Sequence, residues 1–93
     1  FNLKHATQKL KHIAIALGVK TNGLSDYEAA QKGIDKVKKL LREVDIPARL
    51  QDVGVSQRQI PALASQAILD GCHLTNPRRC SESDLLALYA EAL

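Results

Sequence analysis

Ser25-Asp26-Tyr27-Glu28 opens the longest uninterrupted helical pattern in the chain. A Ser followed three residues later by Glu is a capping box, in which each side chain satisfies a backbone N–H of the other residue. Behind it Tyr27, Ala30, Ile34, Val37, Leu41 and Val44 recur at steps of three and four, the spacing of one apolar helix face. Asp26 and Glu28 lie in its first turn and Lys38, Lys39 and Arg42 near its end, as the helix dipole favours. Ile46-Pro47 is expected to end it, since the residue before a proline is pushed out of helical geometry.

The same grammar recurs on both sides. Ala6, Leu10, Ile13 and Leu17 predict an earlier helix, with Gly18 placed for a left-handed cap. "PARLQDVGV" has no helical period and reads as a connector, with Leu50 and Val53 expected against the core. Ser56-Gln57-Arg58-Gln59 is a second box, Pro61 suits a first turn, and Leu63, Ala64, Ala67 and Ile68 form a stripe expected to stop at Gly71. Ser81 to Asp84 opens a last helix, with Leu85, Leu88, Tyr89 and Ala92 on one face. No segment alternates with a period of two. The fold class is therefore all-α, a small bundle of about four helices.

With 93 residues, 1–93 is expected to form one small helical domain or subdomain. A chain of this size buries roughly 60–65% of its unfolded surface. Aromatic residues are 3% of the chain, so Leu, Ile, Val and Ala must fill the core. No apolar run approaches the ~20 residues that span a bilayer, and no membrane role is expected. Two cysteines without a secretory pattern point to a reduced, cytoplasmic setting. The chain starts at Phe1 and has no methionine, which suggests a processed product or a piece of something longer.

"DGCHLTNPRRCSESD", residues 70 to 84, holds the densest candidate chemistry. A structural zinc needs four ligands, usually in pairs two to four residues apart. Cys72 and His73 are adjacent, Cys80 follows eight residues after Cys72, and no fourth ligand is near. His5 and His12 would stand about 10 Å apart on one helix, too far to share an ion. These residues supply no metal ligands. A catalytic cysteine needs a base oriented by a third group, which Cys72 with His73 does not provide; no catalytic residue is assigned. The structural alternative is a buried Cys72 beside an exposed His73. Asn76-Pro77-Arg78 reads as a rigid loop, Asn76 bonding within it and Arg78 reaching a carboxylate.

Net charge is +3, a weak argument for a polyanionic partner. Lys32, Lys36 and Lys39 share a helical face flanked by Lys38 and Arg42, but Glu28, Asp35 and Glu43 balance it and no aromatics interleave. A solvated face explains it, and nucleic acid is not an expected partner. On these residues alone, a free-standing helical module that binds a partner helix is the alternative.

Taken in order, "LGV", "GLSDYEAA", "IP", "IPALASQAILDGC" and "NPRRCSESDLLALY" resemble the end of the iron-containing alcohol dehydrogenases, the family of lactaldehyde reductases and propanediol dehydrogenases. The resemblance runs from Phe1 to Leu93, and D-x-C-x-x-x-N-P-R, residues 70 to 78, is its sharpest motif. It implies the C-terminal part of a dehydroquinate synthase-like helical domain. It also implies a partner outside the segment: an N-terminal domain that binds NAD(P), and helices whose Asp and three His hold iron or zinc. The last of those ligands would lie in an H-G motif on a helix running up to Phe1-Asn2, so His5, His12 and His73 match none of them. Cys72 matches a cysteine that lines the substrate and nicotinamide pocket, while His73 departs from the small or hydroxyl residue usual next to it. The parent reaction implied is hydride transfer between a nicotinamide and a small alcohol or aldehyde, with the segment closing one side of the cleft and inactive alone.

Overall fold

The computed structural model describes residues 1–93. It contains four α-helices and no strand: α1 (Thr7–Ala16), α2 (Asp26–Glu43), α3 (Ile60–Ala67) and α4 (Glu82–Ala92). The chain divides into two compact units, Phe1–Ile46 and Pro47–Leu93. No helix is long and apolar enough to cross a membrane.

In the first unit α1 packs on α2 through small residues. Ala14, Ala29, Ala30 and Gly33 are buried there, with Ala6 just ahead of α1. The Ser25 box forms as the sequence predicts: the Glu28 N–H reaches Ser25 Oγ at 3.2 Å, and Glu28 Oε2 accepts the Ser25 N–H at 2.8 Å. The Asp26 carboxylate then accepts from Gln8 and from the Lys11 ammonium, tying the start of α2 to α1. Gly18 adopts the expected left-handed cap, φ 78°, and two backbone bonds close the end of α1: Gly18 N–H to Ile15 O and Val19 N–H to Ala14 O.

The end of α2 differs from expectation. It stops at Glu43, not at the Ile46-Pro47 step, because Asp45 takes a left-handed conformation at φ 56°. The Asp45 N–H donates to Arg42 O and the Ile46 N–H to Leu41 O, the paired bonds of a Schellman cap. Asp is among the few non-glycine residues that tolerate this conformation.

In the second unit α3 packs on α4. Ile60 and Ala64 are buried, and Leu63, Ala67, Ile68, Leu85, Leu88 and Tyr89 are half-buried. Ala92, expected on that face, is exposed in the last turn. Ser56 and Gln59 form their box around a short 3₁₀ turn, Gln57–Gln59, that leads into α3 with Pro61 in its first turn. The connector carries another 3₁₀ turn, Leu50–Val53. Leu50 is half-buried, but Val53 is exposed and does not pack as expected.

The buried set also departs from the expected mixture. It consists of alanines, Gly33 and Ile60, and no large side chain is fully buried. Two units of this size close on small residues and leave Leu, Ile and Val on their rims.

Candidate functional site

The segment from Asp70 to Asp84 is built by side chains that bond to backbone. α3 ends at Ala67, four residues before the expected stop at Gly71. Beyond it Asp70 Oδ1 accepts the Cys72 N–H at 2.9 Å, an Asx-type turn that opens the next segment. Gly71–Thr75 continues as a 3₁₀ turn, and Thr75 Oγ1 donates to Cys72 O at 3.3 Å. Both backbone polar groups of Cys72 are thus engaged.

The structure reverses the exposures expected of the Cys72–His73 pair. Cys72 is exposed, and His73 is half-buried. His73 Nε2 lies 3.0 Å from Ile68 O; a carbonyl only accepts, so this nitrogen carries the proton. The ring is turned back onto the end of α3, leaving Cys72 at the surface.

Asn76, Pro77 and Arg78 follow expectation. Asn76 Nδ2 donates to Arg78 O at 2.6 Å, and Arg78 Nη2 reaches Asp84 Oδ1 at 2.9 Å. Asp84 also accepts the Ser81 N–H at 3.0 Å and the Ser81 hydroxyl at 2.7 Å, while Ser81 Oγ accepts the Asp84 N–H at 3.2 Å. The Ser81 N–H and hydroxyl, and then Arg78, hold the Asp84 carboxyl below the usual carboxylate range. One carboxylate therefore caps α4 and anchors the loop before it. Asp84 as the partner of Arg78, and Asp70 as the holder of Cys72, are the anchoring residues that the sequence did not single out. An Asp two residues before an N–H, and an Asp at the third position of a Ser-capped helix, were the available signals.

A hollow of about 530 Å³ lies over this loop, lined by His73, Leu74, Asn76, Arg79, Cys80, Ser81 and Asp84. Cys72 is not among its walls, and it is exposed.

The chemistry open to Cys72 is limited. The Asp70 carboxylate beside its sulfur pushes the thiol above its ordinary value. A nucleophilic cysteine needs the opposite shift. His73, with Nε2 committed to Ile68, is not placed as its activated base. Nor do three His, Cys, Asp or Glu side chains converge anywhere in the chain in a way that could hold a metal ion. His5 and His12 are both exposed on the first unit.

Backbone comparison defines the class of this architecture. The chain superimposes on part of the crystal structure of 1,3-propanediol oxidoreductase with a TM-score of 0.94 at 34% identity, covering 99% of this chain and 24% of that one. An alcohol dehydrogenase from Oenococcus oeni gives a TM-score of 0.92 at 30% identity over the same shares. The family profile described as "Fe-containing alcohol dehydrogenase family, C-terminal" matches residues 1–93. This chain belongs to the iron-containing alcohol dehydrogenase family and corresponds to its C-terminal region.

Among its relatives, lactaldehyde reductase of Escherichia coli (strain K12) is 40% identical over 92 residues, 99% of this chain and 24% of the relative. The 1,3-propanediol dehydrogenase of Klebsiella pneumoniae is 34% identical over the same shares. The NAD-dependent methanol dehydrogenase of Bacillus methanolicus is 33% identical over 93 residues. The chain spans about a quarter of the length of these relatives.

Proposed function

We propose that this chain is the closing helical segment of a cytoplasmic, NAD(P)-linked, metal-dependent dehydrogenase that interconverts a small alcohol and its aldehyde or ketone. The observation that carries this reading is the match of the whole chain, in family profile and in backbone, to one quarter of dehydrogenases of this kind. That match does not favour a free-standing interaction module. The metal, iron or zinc, and the dinucleotide are supplied and held by the rest of the parent chain. When bound, the metal supplies polarisation of the substrate oxygen and the dinucleotide supplies hydride exchange.

The segment's own part is to close one side of the cleft, with Cys72 as a wall of the substrate pocket. Three features support that role. Cys72 is exposed, its backbone N–H and carbonyl are both engaged, and Asp70 raises its thiol pKa. A small side chain whose thiol pKa is raised leaves room for a small substrate and is a poor nucleophile toward an aldehyde.

The test is a chimera in which this chain replaces the corresponding last quarter of the Escherichia coli lactaldehyde reductase. The expected result is metal-dependent oxidation of nicotinamide cofactor with lactaldehyde, and no such activity from the 93 residues alone. Cys72→Phe is expected to raise KM or abolish turnover, whereas Cys80→Ser leaves both within about twofold. Turnover by the isolated chain, or indifference to Cys72→Phe, overturns the reading.

A further inference from the structure

We infer that the apolar groove between α1 and α2 is a seat for an apolar face of the dehydrogenase chain that precedes this C-terminal region. The groove holds about 270 Å³ and is walled by Leu10, Ile13, Gly33, Ile34 and Val37, with Lys38 the one charged residue at its edge.

Helix length leaves the apolar face open beyond the groove. α2 has 18 residues and α1 has 10, so α1 is about 12 Å too short to cover its partner. The apolar stripe of α2 continues past the buried Ala29, Ala30 and Gly33 without losing its period. Val37 is 39% exposed, Leu40 49%, Leu41 42% and Val44 58%, and across the groove Ile13 is 48% exposed. Scattered apolar residues at a surface need no explanation, but a periodic stripe running into a groove marks an interaction face.

The occupant follows from chemistry and from what lies outside the chain. With no carboxylate lining the groove and one lysine at its edge, a charged or strongly polar partner would find few groups to bond. Family chains carry about three quarters of their length outside the region matched here, and the matching profile places this region at their C-terminal end. Within a solved chain of that length the backbone of this region is matched at a TM-score of 0.94, so its helices keep this arrangement where the rest of a dehydrogenase chain is present. The inference rests on the family reading given above and adds which face receives the missing part.

Hydrogen exchange and thermal unfolding test it, on the 93-residue chain and on the chimera with the preceding three quarters of Escherichia coli lactaldehyde reductase. The amides of residues 37–44 are expected to exchange at least about tenfold more slowly in the chimera. Ile13→Asp and Val37→Asp, both at half-exposed sites, are expected to leave the Tm of the isolated chain nearly unchanged and to lower that of the chimera by about 5 °C or more. Equal exchange in the two proteins overturns the inference. So does an equal effect of the substitutions on both, or sedimentation showing that the isolated chain closes the groove by pairing with a second copy. A chimera that does not fold also counts against it, since a seat of this chemistry should accept a relative's apolar face. None of these readouts requires turnover: a folded, protected but inactive chimera would sink the proposed activity and leave the seat standing.

Discussion

Gly33 and Ala14 meet where α1 crosses α2 with no room for a second methyl group. A Cβ on Gly33 would stand 2.8 Å from Ala14 Cβ, and 3.1 Å and 3.3 Å from the Ala14 Cα and N. Two of those three atoms are backbone and cannot swing aside. Ala in place of a mid-helix Gly normally gains about 1 kcal/mol of helix propensity. Here overpacking opposes it at about 1–3 kcal/mol. Gly33→Ala is therefore expected to lower the urea midpoint of the chain, and adding Ala14→Gly to recover part of the loss. A rise in midpoint for Gly33→Ala alone would show that the helices separate freely.

Asp45 poses the reverse case. Its φ of 56° closes α2 in a conformation that glycine adopts without a Cβ penalty. Asp45→Gly is expected to stabilise the chain by about 0.5–1 kcal/mol, read as a higher urea midpoint at unchanged slope. Asp45→Ala should move the midpoint the other way.

The start of α4 depends on Ser81. Removing its hydroxyl takes away the acceptor for the Asp84 N–H and one donor to the Asp84 carboxylate. Ser81→Ala is expected to destabilise by about 1 kcal/mol. Ser81→Asp, which keeps a capping acceptor but puts a second carboxylate beside Asp84, should restore less than Ser81→Thr does.

Acid sensitivity follows from the carboxylates. Asp26 is held low by Lys11 and then Gln8, Glu28 by the Ser25 N–H, and Asp84 by Ser81 and then Arg78. Each has a folded-state pKa below its unfolded one. The stability each contributes is fully present above the unfolded value and is lost as pH falls through the folded one. Denaturation midpoints should therefore be insensitive to these groups above about pH 5 and decline below about pH 4. Asp84→Asn should flatten part of that decline; an acid limb identical in the variant would remove Asp84 from it.

Thiol chemistry tests the Asp70–Cys72 relationship. In a Cys80→Ser background, Cys72 is expected to alkylate with iodoacetamide more slowly at pH 8 than a free thiol. Asp70→Asn keeps an oxygen to accept the Cys72 N–H but removes the charge that raises the thiol. It should speed alkylation and lower the apparent thiol pKa. An unchanged rate profile would show that the carboxylate does not govern the sulfur.

What the sequence determined by itself is the local syntax. The Ser25 and Ser56 boxes, the Ser81 helix start, the Gly18 cap, the first-turn Pro61 and the bonded Asn76-Pro77-Arg78 loop are each settled within a few residues, because capping bonds reach only three or four positions along the chain. Tertiary structure alone decided which residues are covered. Cys72 and His73 are neighbours, and only the reach of His73 back to Ile68 puts the imidazole half inside and the thiol outside. Val37, Leu41 and Val44 carry the same periodic signal as Ala30, yet α1 is too short to bury them. Burial depends on what packs opposite a residue, and periodicity names a face without saying what covers it.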